Sequence, residues 1–255
     1  MLDWSPQGPP IEEGAWTVPR DGGTGAPGVD PRHLWPVSDQ PRRGRKPAYS
    51  REVITAAAVA LADAEGLEAV TMRKVAARVG AGVMSLYSYA PDKEALLNLM
   101  VDHVSGELPA AHPLTGDWRA DLKAIAHLQR ALMLRHPWLP AALSTRRIPG
   151  PRTLAFLEHA LAALRPTGLD GTAKLEVFAQ LTAFVAGHVA HEIAQAAASQ
   201  SPDRAAAEAR YLAAVAADGR HPELAEALSA PGRPLAPEAT FTRFLGRLID
   251  GLDTG

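Results

Sequence analysis

The 255-residue chain has no cysteine at all. Disulfides and thiolate-held metals are therefore excluded, and a reducing compartment fits the composition. No window approaches eighteen successive apolar residues, so neither a transmembrane helix nor a membrane partner is expected. The opening Met1-Leu2-Asp3-Trp4-Ser5-Pro6 lacks both the basic and the apolar stretch of a secretion signal, which points to the cytoplasm. No Gly-x-Ser-x-Gly elbow, Walker loop or His-Glu-x-x-His pair occurs, which removes the commonest hydrolase, nucleotide and zinc-protease chemistries. Convincing alternation of polar and apolar residues is also missing, so an all-α fold is expected. At this length there is room for one large domain or two small ones.

A large excess of either charge is absent too, since the formal net charge is −2. The distribution is more informative than the total. From Arg42 to Tyr89 there are eight Lys or Arg against four acids, a local +4 that leaves −6 on the remainder. A basic head on an acidic body lets one end attract phosphate while the other keeps the chain soluble.

Residues 1–41 contain PQGPP, DGGTGAPG and scattered prolines without an apolar period, the pattern of a disordered extension. Three of the five tryptophans, Trp4, Trp16 and Trp35, nevertheless lie there. They are either incidental or, in the case of Trp35, docked on the folded body. A basic arm follows over 42–49, with Arg42, Arg43, Arg45 and Lys46.

The organising signal is Thr71 to Lys93, TMRKVAARVGAGVMSLYSYAPDK. Thr71 can cap a helix in which Val75 and Val79 repeat one turn apart on a buried face. Gly80 can take the left-handed conformation of a tight turn, and Ala76 leaves room for close approach of a second helix. That second helix, about Val83 to Tyr89, buries Leu86 and presents Val83, Met84, Ser85, Tyr87 and Tyr89, side chains suited to a major groove. A brace helix precedes this pair, from Ser50 as N-cap through Val53, Ala57 and Leu61 to Gly66. A linking helix follows, with Pro91 suited to its first position and Leu96, Leu97, Met100, Val101 and Val104 on one stripe.

Further helices are expected over 117–135, broken by His136-Pro137, and over 139–146, 151–165, 171–199, 203–218 and 237–252, with a short one after Pro222. The long helix carries two apolar seams, Leu175/Phe178/Thr182/Val185/Val189 and Leu181/Phe184/His188/His191. The last carries Phe241, Phe244, Leu245, Leu248, Ile249 and Leu252. A helix apolar on both sides is buried on both sides. Two such helices from each of two chains would make a four-helix homodimer seam, and paired heads would read paired half-sites one helical turn apart.

These residues resemble the tetracycline-repressor (TetR) family of one-component transcriptional regulators. The resemblance is carried by the capped brace helix ending at Glu65-Gly66, by Thr71-Met72-Arg73-Lys74-Val75-Ala76, Gly80 and Leu86-Tyr87, and by Lys93-Glu94-Ala95-Leu96-Leu97. Looser features of the C-terminal half are Trp118, Leu143-Ser144-Thr145-Arg146, and Gly187 followed by Glu192. The resemblance implies a helix-turn-helix DNA-binding domain over 50–95 and a helical ligand-binding and dimerisation domain over 96–255. It also implies double-stranded operator DNA as partner, with a phosphate held at Thr71 and a guanine edge within reach of Arg73. Base contacts fall to Gly82, Val83, Met84 and Ser85 at the recognition-helix start, and phosphate contacts to Tyr87, Tyr89 and Lys93. The chain departs from the pattern at Ala90, where many members have phenylalanine. Ala142 stands where metal-dependent tetracycline binders carry a magnesium-ligating histidine, which argues against a magnesium–tetracycline effector.

The basic arm leaves the brace helix near the DNA, where its arginines could enter a narrow minor groove or simply attract phosphate diffusely. For a small hydrophobic or amphipathic effector, the candidate lining is Ile125, Gln129, Met133, Leu143, Phe184 and His188. His188, His191 and Glu192 lie close on one helix surface, but a metal would need ligands from elsewhere; hydrogen-bonded polar residues in a pocket or seam explain them more simply, and no metal or cofactor is expected. The leading expectation is a homodimeric, non-enzymatic repressor that leaves a palindromic operator when its effector binds. The alternatives are a DNA-binding regulator without an effector and a helical enzyme, and a deep cavity in the body separates the first from the second.

Overall fold

The computed structural model describes residues 34–35, 49–109, 113–144, 148–229 and 235–252. Residues 42–48 of the basic arm and all of the N-terminal extension except Leu34 and Trp35 lie outside the described residues. Among the described residues there are eleven α-helices and no strand. None of these helices is long and apolar enough to cross a membrane.

The head is built from α1 (Arg51–Glu65), α2 (Met72–Val79) and α3 (Val83–Tyr87). Ser50 caps α1 by accepting a 3.2 Å hydrogen bond from the amide of Val53. Its buried stripe is Ile54, Thr55, Ala58, Val59, Leu61 and Ala62. Of the expected face, Leu61 is in place, but Val53 is 52% exposed because it lies one position off that stripe. Thr71 caps α2 through the amide of Lys74, and Met72, Val75 and Ala76 face the core. Gly80 ends α2 at φ 72°, ψ 25°, a left-handed conformation that costs any residue with a Cβ.

The recognition helix is shorter than its spacing predicts. It stops at Tyr87, and Tyr89 turns inward so that its hydroxyl donates to the carbonyl of Tyr49 at 2.7 Å. Pro91 does not occupy the first position of the next helix either. Asp92 is the N-cap, accepting from the amide of Ala95 at 2.7 Å, and α4 runs from Lys93 to Ser105.

Helix α4 is buried nearly all round, as suits an element packed against both α1 of the head and α7 (Pro151–Ala163) of the body. Two of its buried residues, Asn98 and Asp102, are polar and stand one turn apart. Asp102 accepts 2.9 Å hydrogen bonds from the amides of Arg152 and Thr153, so a side chain of α4 caps the free N–H groups of α7. Gly150, the residue before α7, has no room for a side chain, because a Cβ there would lie 2.4 Å from the Asp102 carboxyl.

The body completes the fold with α5 (Trp118–Arg135), α6 (Leu139–Leu143), α8 (Gly171–Ser199), α9 (Pro202–Ala217), α10 (Pro222–Ser229) and α11 (Pro237–Asp250). Helix α6 ends earlier than expected, where the Ser144 hydroxyl bonds back to the carbonyl of Ala141 at 2.7 Å. The 29-residue α8 is about 43 Å long and packs on α5, α6 and α7. Within one chain its buried residues are Leu181, Val185 and Val189, drawn from both expected seams; Phe184 and His188 of the second seam pack on Phe241 of α11, whereas Leu175 of the first is left 49% exposed. Helix α11 buries Phe241, Leu245 and Ile249 and leaves Phe244 41% exposed.

A second clasp joins head to body. Asp63 of α1 faces Nδ1 of His136 at 2.8 Å and accepts from the indole of Trp138 at 2.7 Å, while Nε2 of His136 meets Glu107 at 3.1 Å.

Candidate nucleic-acid interface and ligand cavity

The helix-turn-helix presents a sparse, chemically mixed surface. Thr71, Arg73, Gly82, Ser85, Tyr87 and Lys93 are exposed, and Met84 is the most exposed large apolar residue at 81%. A methionine held out in water at the start of a short helix has no packing role, and its placement suits contact with base edges or thymine methyls. Val83 is half-buried against the core. Tyr89 is also half-buried, with its hydroxyl proton committed to Tyr49. The neighbouring Lys74 pairs with Glu65 at 2.8 Å, and that cation lowers the Glu65 pKa. Arg42, Arg43, Arg45 and Lys46 lie outside the described residues.

Tyr49 is the residue of this face that spacing missed. Its hydroxyl donates to the carbonyl of Gly80 at 2.6 Å while its own carbonyl receives Tyr89. Its only sequence signal is an aromatic residue immediately before a helix cap.

The body contains a cavity of about 850 Å³ between α4, α6, α7 and α8, within the usual size range for small-molecule pockets. Asn98 and Val101 come from α4, Leu143 and Ser144 from the end of α6, and Ile148, Pro149, Thr153 and Leu157 from the start of α7 and the residues before it. The α8 wall is Phe178 and Thr182 with a run of small residues, Ala179, Ala183, Ala186, Gly187 and Ala190. Asn98, Ser144, Thr153 and Thr182 are its polar groups; the remaining lining side chains are apolar.

Of the six residues expected to line this site, only Leu143 does. Ile125 and Met133 are 1% and 2% exposed in the core of α5. Gln129 is buried behind the wall and donates to the Thr182 hydroxyl at 2.9 Å. Phe184 and His188 face α11, where Phe184 stacks on Phe241 at 5.8 Å and His188 meets the same ring edge-on at 5.2 Å. Burial there, with Arg130 and His191 nearby, lowers the pKa of His188 below its usual 6.5, and Glu192 only partly opposes this. The error has one physical source. Large side chains fill the space they face, whereas a cavity persists where side chains are small.

The His188/His191/Glu192 group is taken apart by Arg130 of α5. Its guanidinium bonds both oxygens of Glu192 at 2.8 and 2.9 Å and also pairs with Glu238 of α11. Arg130 is 9% exposed and lies 5.3 Å from the Phe241 ring centroid, so one cation ties α5, α8 and α11 together. Among the described residues, no three His, Asp or Glu side chains are grouped to hold a metal ion.

A comparison of the sequence with known families matches "Bacterial regulatory proteins, tetR family" over residues 54–100 and "Tetracyclin repressor-like, C-terminal domain" over residues 109–255. The chain belongs to the TetR family. Among curated TetR-type relatives it is 37% identical to the HTH-type transcriptional repressor DrrR1 of Streptomyces coeruleorubidus, covering 86% of this chain and 83% of that one. It is 33% identical to an HTH-type transcriptional regulator of Saccharopolyspora erythraea, covering 89% and 92%. Among solved structures it is similar to the TetR-family protein ActR of Streptomyces coelicolor in complex with actinorhodin, with a TM-score of 0.66 and 26% identity over 80% of this chain and 96% of that one. The chain is thus a TetR-family transcriptional regulator with an N-terminal helix-turn-helix head and a helical C-terminal body.

Proposed function

We propose that this TetR-family regulator is a repressor that grips a palindromic operator as a homodimer and lets go when an apolar or amphipathic aromatic molecule enters the body. The observation that carries the reading is the 850 Å³ cavity, because α4 lines it and is also the helix that follows the recognition helix in the chain, starting at Lys93. An occupant that shifts Asn98 or Val101 moves a rigid rod whose other end sits at the DNA. The head is 50–95 and the body 96–255. Arg73, Met84 and Ser85 read bases, Thr71, Tyr87 and Lys93 hold phosphate, and the protein works in the cytoplasm beside its operator.

The effector class rests on the lining and on ActR. Apolar walls with an amide and three hydroxyls fit a flat molecule with polar edges, and the actinorhodin complex of ActR supports a small-molecule occupant. Among the described residues no acid or base lines the cavity, which favours binding over catalysis. The homodimer reading is supported by the apolar surface left on α8 and α11, including Leu175 at 49% and Phe244 at 41% exposure.

The test is selection of duplexes from a random library by the full chain, followed by titration of the enriched duplex complex with actinorhodin and other flat molecules with polar edges. Enrichment of a palindrome and its release by one of these compounds is expected. Failure to enrich any duplex overturns the DNA reading; an enriched palindrome that none of the compounds releases overturns the effector class and favours the effector-free alternative.

A further inference from the structure

Leu34 and Trp35 lie far upstream of the head, yet both are seated on the folded chain. Leu34 is 1% exposed, and its carbonyl accepts a 2.7 Å hydrogen bond from the guanidinium of Arg51. Trp35 is itself one wall of a groove whose other walls come from all three parts of the molecule: Arg51 and Thr55 of α1, Leu99 and Asp102 of α4, and Pro149 and Arg152 of the body. The tip of its ring lies 2.7 Å from where a Cβ of Gly150 would be. Two adjacent residues therefore bond to the head, abut the body and share a groove with the linking rod.

Pro149 has a second side. It is also a wall of the 850 Å³ cavity, as are its neighbours Ile148 and Thr153. The 148–153 segment is held from behind by α4, through Asn98 to the amide of Ile148 and Asp102 to the amides of Arg152 and Thr153. On the groove side Trp35 stands against it: with the indole in contact distance of Gly150, it occupies part of the space into which the segment would move away from the cavity.

We propose that Leu34–Trp35 is a built-in ligand of the head–body joint, whose seating braces the cavity wall at Pro149 and whose release accompanies displacement of that wall. The segment acts as a staple: it fixes the angle of α1 to α7 across α4, and it opposes any cavity occupant that pushes Pro149 outward. By linkage, the staple and such an occupant weaken each other by the same factor. The seat is also one that can be left, because the indole N–H is buried with no acceptor among the described residues. This last step rests on the cavity being the effector site; the seating and its effect on the joint do not.

The decisive experiment is hydrogen exchange of the full-length protein against Trp35→Ala, Trp35→Phe and the control Trp16→Ala. In Trp35→Ala, peptides spanning 148–154 and 98–104 are expected to exchange about tenfold faster, while those of α8 and α11 keep the parent rate. Trp35→Phe should lie between, and Trp16→Ala should match the parent. Equal exchange at 148–154 in parent and Trp35→Ala overturns the proposal, as does an equal acceleration in Trp16→Ala. If Trp35→Ala loses protection throughout, Trp35→Phe decides alone, by acceleration confined to 148–154 and 98–104. The readout needs neither DNA nor effector, so it stands or falls independently of the function proposed above.

Discussion

The hydroxyl of Tyr49 donates to the carbonyl oxygen of Gly80, 31 positions downstream, at 2.6 Å, and so fastens the entrance of α1 to the turn between α2 and α3. The same residue receives the hydroxyl of Tyr89 on its own carbonyl. A short recognition helix has little stability of its own; here both of its flanks are tied to one point.

Tyr49→Phe should therefore cost about 1 kcal/mol, the net worth of one such hydrogen bond. Gly80→Ala should cost about 1–2 kcal/mol for a different reason. There is space for the added methyl, which would lie 3.9 Å from the Tyr49 hydroxyl, but φ of +72° is unfavourable for alanine. Denaturant unfolding of both variants checks the magnitudes, and equal stability to the parent would contradict them.

Arg73 and Lys93 should separate cleanly in DNA binding. Arg73→Ala should lose about 1–3 kcal/mol on the selected duplex and relax preference at one base pair in each half-site. Lys93→Ala should weaken all duplexes alike and lower the salt slope by about 0.9 per site. Competition titrations against single-base variants at several salt concentrations distinguish the two patterns.

Gly187 lies within α8 and also lines the cavity, and a Cβ there meets nothing within 4 Å. Gly187→Ala should stabilise the fold by roughly 0.5–1 kcal/mol through helix propensity. Gly187→Leu should keep DNA binding while blocking release by any compound that releases the parent. A Leu variant as readily released as the parent would place the effector elsewhere.

Arg130 is the charge on which the α5, α8 and α11 contacts converge. Arg130→Met leaves the partly buried Glu192 without its partner and should cost about 3 kcal/mol, with thermal unfolding as the measure. A fall of less than about 1 kcal/mol would show that solvent already screens the pair.

Acid should loosen this junction and the α4–α7 contact. Burial lowers the pKa of both His188 and His103 below 6.5; at His103 Arg152 adds to the effect and Glu107, Asp102 and Glu52 oppose it. The unfolded chain therefore takes up protons at a higher pH than the folded one. Stability should be at its full value above pH 6.5 and fall as the pH drops below it, levelling off beneath the lowered folded values. Melting temperature measured from pH 7.5 to 5 should show this decline, and His188→Gln should flatten it.

The helices could be read because their ends are written locally. Ser50, Thr71 and Gly80 act where their chemistry requires, and α8 spans the expected 171–199. Pro91 misled because Asp92, the next residue, is the stronger cap. The cavity resisted reading because a list of large side chains on inward faces describes a filled core. Asp102 capping α7 and Tyr49 gripping Gly80 were invisible because each joins segments at least 31 positions apart, and no local period records such a partner.

The row of alanines and one glycine along α8 has a consequence for descent. Because the pocket is shaped by side chains that are missing, single substitutions that add a methyl or two can trim it at almost any point along the row. None of them disturbs the buried Leu181, Val185 and Val189 that hold the helix in place. On the proposed function, small steps along this row change which molecule the cavity admits while the buried contacts of the helix stay unchanged.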